Sequence, residues 1–113
     1  MTKWLISFPS GEMDVPDGEW QAVVEESHAV VREAKAEGVW VFGGGIDGTV
    51  PPVRVAADGS VSPGAHPGTG RLEGGYAVLD LPTREAAYAW AARMAAACRC
   101  AQEVRAFGDD PES

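Results

Sequence analysis

The stretch that decides the fold runs from residue 74 to residue 87 and reads GGYAVLDLPTREAA. Its first half, from Tyr76 to Leu81, is largely apolar and stops at Pro82, a pattern typical of a buried strand. Thr83 then stands where a helix N-cap accepts a backbone N–H, and Glu85 suits the positive end of a helix. We therefore expect a strand that passes into a helix within a few residues.

The residues that follow complete a β-α-β unit. Alanine dominates residues 86–97, and alanine both favours a helix and lets it pack closely on a sheet. The apolar stripe of this helix recurs at 3.6-residue spacing and comprises Ala87, Trp90, Ala91, Met94, Ala95 and Cys98. Beyond the helix, the alternating segment from Glu103 to Phe107 predicts a last strand.

The same order occurs once before, in the N-terminal third of the chain. Trp4 to Phe8 predicts a first strand, and Val39 to Phe42 predicts a second strand that a run of three glycines ends. Between them we expect a helix over residues 18–37, with Asp17 as its N-cap and Gly38 as its stop. Its apolar stripe comprises Trp20, Val23, Val24, Ser27, Val30, Val31 and Ala34.

A hairpin separates the two units. Two short runs, Val53 to Ala56 and Ser60 to Val61, flank Asp58-Gly59, which is a strong local hairpin signal, and residues 62–71 are irregular. The order β-α-β, hairpin, β-α-β predicts the α+β class, as a ferredoxin-like sandwich. With both helices on one face of the sheet, the strand residues leave an apolar face bare, which predicts a two-fold homodimer with facing sheets.

Length and charge narrow the classes of function. The 113 residues fit one domain, over residues 1–108, with an acidic tail at 109–113. A net charge of −8 speaks against nucleic acids and anionic membranes as partners. No apolar run is long enough for a transmembrane helix, and the N-terminus lacks the pattern of a signal peptide, so the expected location is the cytoplasm.

Cofactor and metal signals are weak. Cys98 and Cys100 stand in a C-x-C spacing without a second pair, whereas structural zinc sites need four ligands. The glycine run at 43–45 is not followed by a helix start, so it favours a bulge or turn over a phosphate-binding loop. We therefore predict no metal and no cofactor, and two reduced thiols.

Residues at strand ends, turns and helix starts appear in a recognisable order. They are Trp4-Leu5-Ile6-Ser7-Phe8, His28, Ala36 to Val39, Gly43-Gly44-Gly45, Val53-Arg54-Val55, Asp58-Gly59, Gly74 to Asp80, Glu85-Ala86, Trp90-Ala91-Ala92 and Glu103-Val104-Arg105. With this set the chain resembles the YCII-related family, also called DGPF-domain proteins, over nearly its whole length. The resemblance implies a dimeric α+β barrel. Some members of that family are suspected enzymes in which a His and an Asp meet in a cleft.

The chain departs from the family at the motif that gives it its second name. Counting back from Gly74, the Asp-Gly-Pro-Phe position reads Pro63-Gly64-Ala65-His66. The Lys-Glu that usually follows is Gly70-Arg71 here. A carboxylate that could serve catalysis or ligand binding is therefore absent, and any activity that depends on it is in doubt.

His28 is the main candidate for chemistry. It lies at the flank of the apolar stripe of the first helix, where we expect it to be half-buried. An imidazole titrates near neutrality and can accept and return a proton, provided that a carboxylate orients it. Asp47, after the second strand, is the preferred partner, and Asp80 is the other. The alternative is a boundary histidine bonded to backbone or water.

Three further residues are candidates for substrate binding. Arg54 and Arg71 are isolated cations in an acidic chain and could pair with a substrate carboxylate, although surface ion pairs are the commoner use. His66 stands in a Pro/Gly loop near Arg71 and Glu73, where a solvated histidine is the simpler interpretation. Trp4, Trp40 and Tyr76 either line an apolar pocket or belong to core and interface.

Two hypotheses follow from these residues. In the first, the chain is a small-molecule enzyme in which His28 is the acid/base, Asp47 or Asp80 orients it, and Arg54 or Arg71 holds an anionic group. The ligand would be a small anionic or aromatic molecule. In the second, the chain is a non-catalytic dimeric module that binds a ligand or a protein.

Overall fold

Within residues 1–70 and 72–113, the computed structural model of the chain contains six strands and two α-helices. In chain order they are β1 (Thr2–Phe8), α1 (Trp20–Ala36), β2 (Trp40–Gly45), β3 (Val53–Val55), β4 (Val61–Pro63), β5 (Gly75–Leu81), α2 (Arg84–Cys98) and β6 (Glu103–Ala106). Arg71, a predicted ligand-binding residue, lies outside the described residues. No helix in the described part of the chain is long and apolar enough to cross a bilayer.

The strands form two separate sheets. Four of them make an antiparallel sheet in the order β2-β5-β1-β6, and β3 pairs only with β4. Both outer strands, β2 and β6, follow a helix in the chain, and the two central strands each precede one. The architecture is therefore α+β, as predicted.

One face of the four-stranded sheet carries the core. Ile6 of β1 and Leu79 of β5 are almost completely buried, and they cluster with Val30 and Ala34 of α1 and Trp90 of α2. Because neighbouring side chains of a strand point to opposite faces, both helices cover the face that holds Ile6 and Leu79. The opposite face has no helix over it.

Helix α1 begins later than the sequence predicts. Its N-cap is Glu19, which makes no side-chain capping hydrogen bond, and not Asp17. The cause is a tight turn just before the helix, in which Gly18 has φ +82° and the Glu19 N–H donates to the Pro16 carbonyl. Trp20, predicted to be in the apolar stripe, is consequently 59% exposed on the first turn. At the other end Gly38 has φ +75° and stops the helix as expected.

Strand β2 ends at Gly45, so the three glycines that the sequence predicts directly after the strand are its last three residues and pair with β5. A Cβ on Gly43 would lie 2.4 Å from the Trp40 ring, so the indole lies flat against the glycine backbone. Trp40 and Gly43 belong to the helix-covered face, since they pair with Leu79 and Ala77. Glycine is thus required here by the aromatic ring packed over it.

Helix α2 is capped as the sequence predicts at its start. The Thr83 hydroxyl accepts the Ala86 N–H at 3.1 Å. At its end Arg99 adopts a left-handed conformation with φ 61°, and its guanidinium donates to the Ala96 carbonyl and to Glu26 of α1. Arg99 therefore joins the last turn of α2 to the side of α1.

The β3–β4 hairpin projects from this body. Asp58 accepts the Ser60 N–H, which holds its pKa below the ordinary value, and Gly59 has φ +88°, as the Asp-Gly signal predicts. The radius of gyration is 15.9 Å, against about 13 Å for a compact domain of this length. We call residues 47–73 the arm.

Candidate functional site

A cavity of about 590 Å³ opens where the arm joins the body, between α1 and the neighbouring ends of β1, β2 and β5. Its wall is mainly apolar and comes from elements far apart in the chain. The apolar side chains that line it include Ile6, Phe8, Met13, Val31, Trp40, Ile46 and Met94. A space of this size and polarity is typical of sites for small organic molecules.

Two glycines hold one end of this cavity in shape. A Cβ on Gly75 would lie 2.4 Å from the Phe8 ring, and a Cβ on Gly74 would lie 2.0 Å from the Phe8 carbonyl oxygen. Gly74 also has φ +89°, a conformation that other residues rarely adopt. The Gly74-Gly75 pair therefore lets the end of β1 lie close against the start of β5, with which it pairs.

Few polar side chains face this apolar space. His28, Ser27, Glu73, Cys98 and Gln102 are among those that line it. His28 is more exposed than the sequence predicts, because it lies at the solvent side of α1 and reaches only the cavity mouth. Among the described residues it has no hydrogen-bond partner in the protein, so its ring is available to a molecule in the cavity.

Glu73 is the carboxylate of this cavity, and the sequence reasoning did not select it. Its carboxylate accepts the Ser10 backbone N–H at 2.9 Å and the Ser10 hydroxyl as well. Ser10 lies 63 residues earlier in the chain, so no local pattern could have paired the two. The only sequence signal is the position of Glu73 directly before Gly74-Gly75.

Asp47, the preferred partner of His28, lies at the base of the arm, where its carboxylate is hydrogen-bonded to a nearby residue. Its side chain accepts the Thr49 hydroxyl at 2.6 Å and the Thr49 N–H at 2.9 Å. These two hydrogen bonds hold the pKa of Asp47 below its ordinary value. The residue is exposed and does not line the cavity, and the structure does not bring it to His28.

Asp80 lies on the other side of the sheet from His28. It stands between Leu79 and Leu81, which are both buried on the helix-covered face, so its side chain points to the opposite face. One carboxylate oxygen of Asp80 is buried without a hydrogen-bond partner in the described part of the chain. The sheet therefore separates Asp80 from His28.

Two of the predicted ligand-binding residues, Arg54 and His66, lie away from the cavity. Arg54 lies in the arm, where its guanidinium donates to the Pro63 carbonyl at 3.3 Å. His66 is exposed in the arm, and its carbonyl accepts the Thr69 N–H. Neither residue lines the cavity.

The two thiols differ in their position relative to the cavity. Cys98 lines the cavity and Cys100 does not. Burial raises the pKa of Cys98, and the neighbouring Cys100 raises it further while the Arg99 charge opposes the change. Burial also raises the pKa of Cys100, with a contribution from the charge of Glu12.

We expect both cysteines to be slow nucleophiles, because the thiolate is the reactive form and both pKa values are raised. At about pH 8.5, Cys98 in a C100S variant and Cys100 in a C98S variant should react with iodoacetamide more slowly than a small free thiol of ordinary pKa. The rates should still be rising above pH 9. Mass spectrometry of timed samples measures them, and a Cys98 that outpaces the free thiol contradicts the expectation.

The surroundings of the site show no metal centre. Within residues 1–70 and 72–113, no three His, Cys, Asp or Glu side chains gather closely enough to hold a metal ion.

In comparison with known proteins, no family model matches the chain and no curated protein matches it. The functional assignment therefore depends on the geometry of the cavity and of the sheet.

Proposed function

We propose that the chain is a YCII-like dimeric protein that binds a small, neutral aromatic molecule in the cavity beside α1. The observation that carries this proposal is the cavity itself, which has about 590 Å³ of space between apolar walls. Phe8 and Trp40 supply aromatic surfaces, and both rings are held in place by the glycines beneath them. Such preorganised apolar walls with a few polar groups suit a flat ring that carries one hydrogen-bonding group.

In the catalytic form of this proposal, His28 is the acid/base at the cavity mouth and Glu73 replaces the predicted aspartates as the carboxylate in the same cavity. No hydrogen bond joins His28 to Glu73 in the structure, so a bound molecule would have to contact both groups. Ser10 fixes the Glu73 carboxylate, which preorganises it to accept a donor from the ligand. The second candidate is binding without catalysis, which needs only the apolar walls.

The dimer and the finer fold assignment belong to the same proposal. The strand order β2-β5-β1-β6, with a helix after each of two strands, supports a ferredoxin-like sheet. On the face without helices, cross-strand pairing aligns Phe42, Val78 and Leu5 in one apolar row. A two-fold related copy that faces this row would bury it and complete a dimeric barrel.

The methionines provide a direct test of ligand binding. Met13 and Met94 line the cavity, and Met1 lies outside it. In protein labelled with ¹³C at the methionine methyls, titration with indole should shift the Met13 and Met94 signals and leave Met1 unchanged. Benzoate, the anionic comparison, should bind more weakly because Glu73 and the net charge of −8 oppose it.

A pair of variants on α1 serves as the control. Ser27→Trp places an indole into the cavity from its own wall and should abolish the indole-induced shifts. Gln21→Trp adds the same group on an exposed position of α1 outside the cavity and should leave them intact. Equal shifts in all three methionines, or shifts that survive Ser27→Trp, would refute binding in this cavity.

A further inference from the structure

The arm is anchored to the body at its base. At the base, the Ile46 N–H donates to the Gly74 carbonyl at 2.8 Å, and Glu73 is bonded to Ser10. Beyond the base, β3 and β4 pair only with each other and lie outside the four-stranded sheet. An isolated two-stranded hairpin is marginally stable in water, so this arrangement calls for a further surface against it.

One face of this hairpin is apolar and exposed. Val53 pairs with Pro63 and Val55 pairs with Val61, so these four side chains share a face, while Arg54 and Ser62 occupy the other. The three valines are 56%, 65% and 62% exposed in chain order. A short strand pair gains stability mainly through such side chains, and here they contact water.

The size of the sheet points to the occupant. At ~3.4 Å per residue and ~4.8 Å between strands, the four strands offer roughly 400 Å² of bare face in projection. A standard interface buries about 800 Å² per partner, so the sheet face alone supplies about half of that. The described hairpin of the arm is a second unpartnered apolar surface, and the area that it adds brings the interface closer to the standard size.

Charge favours the same occupant. The strands of the bare sheet face carry Lys3 opposite Asp80 and an ion pair of Arg105 with Glu103, while Asp109 and Asp110 of the C-terminal tail lie beside Lys3 at one end of this face. The arm holds two arginines and three acidic side chains, which gives 2 − 3 = −1. Most of the net charge of −8 therefore lies outside the strands of the sheet face and the arm, so two copies that meet through these surfaces repel each other least.

We propose that the arm is an exchange arm: in the dimer, the apolar face formed by Val53, Val55, Val61 and Pro63 packs on the partner protomer beside the paired sheets. This inference rests on the dimer of the proposed function and adds which segment completes its interface. The exchange buries the three valines and gives the hairpin the hydrophobic support that it lacks in one protomer. In such a dimer, each protomer contributes one arm and one sheet face to the interface.

The test measures the arm contact and the dimer separately. A mixture of ¹³C-labelled and unlabelled protein, studied by isotope-filtered NOE spectroscopy, should show intermolecular contacts from the Val55 and Val61 methyl groups. The double variant V55T/V61T keeps the β-branched shape and adds two hydroxyls to the apolar face. It should raise the dissociation constant of the dimer by about tenfold or more, measured by analytical ultracentrifugation.

The control is S62T, which makes a similar change on the opposite face of the same hairpin and should leave the dissociation constant unchanged. A dimer whose arm methyls show no intermolecular contacts, and whose affinity is unchanged in V55T/V61T, would overturn the exchange arm and leave the dimer standing. Arm contacts within one protomer alone would overturn it as well. A wild-type chain that stays monomeric at about 100 µM, far above the dissociation constants of stable dimers, would overturn the dimer itself.

Discussion

Replacing Gly74 by alanine should lower the free energy of unfolding by about 3 kcal/mol, the sum of backbone strain and a steric clash. The residue has φ +89°, and its new Cβ would lie 2.0 Å from the Phe8 carbonyl oxygen. The atom in the way belongs to the backbone of β1, so no side-chain rotation relieves the contact. Urea denaturation of the variant beside wild type measures the loss.

Substitutions at two other glycines separate the contribution of backbone strain from that of the steric clash. Gly38 has φ +75°, and no atom lies within 4 Å of the position that a Cβ would take there, so Gly38→Ala reports the backbone strain alone. In Gly45→Ala the Cβ would lie 3.7 Å from the Gly74 carbonyl, an ordinary contact, and the change should cost less than about 1 kcal/mol. If Gly74→Ala unfolds no more easily than Gly38→Ala, the contact between Gly74 and the end of β1 is not as tight as described.

Replacing Phe42 by aspartate should weaken the dimer at least 100-fold, because a carboxylate would enter the proposed interface without a partner. Phe42 is 69% exposed in the single chain and aligns with Val78 on the bare face. Because of the two-fold symmetry, the interface would contain the substitution twice, once from each protomer. A 100-fold effect corresponds to about 2.7 kcal/mol in the binding free energy.

Tyr88→Asp is the matched control for Phe42→Asp. Tyr88 is 53% exposed and lies on α2, away from the bare face of the sheet. Its replacement should leave the sedimentation profile and dissociation constant as in wild type, while thermal unfolding checks that both variants remain folded. Equal weakening by both substitutions would show that added charge, and not the position of Phe42, disrupts association.

Local signals in the sequence predicted the parts of the fold that depend on neighbouring residues. Thr83 caps α2 because the acceptor and the donor lie three residues apart, and Gly59 turns the hairpin because the turn needs a positive φ. Asp17 fails as a cap because Gly18, directly after it, turns the chain before α1 begins. Asp17 therefore indicated that a helix follows, but it did not indicate the residue at which the helix begins.

The pairing of the glycines of β2 depends on a side chain that packs on them from another position. Three glycines in a row are locally typical of the end of a strand, and only the Trp40 ring over Gly43 explains why the pairing continues. The contact of Phe8 with Gly75 has the same character, since it joins residues 67 positions apart in the numbering of the chain. The periodicity of apolar residues in the sequence does not show which aromatic ring packs on which glycine.

The candidate site could be predicted only in part. His28 could be placed on α1 and near the sheet from its helical position, and it does line the cavity. The alternation of β5 already implied that Asp80, between two core leucines, points away from the helices. Glu73 could not be found this way, because its role depends on Ser10 in the turn that follows β1.

The hydrogen bond from Ile46 to Gly74 has a consequence for how this chain can vary in length. It extends the β2–β5 pairing by one step and closes it, so the sheet ends at this bond whatever lies beyond. Since closing a longer loop costs little additional entropy, insertions and deletions within residues 47–73 should leave the body intact. The length and sequence of residues 47–73 can therefore change in evolution without a change in the core that supports them.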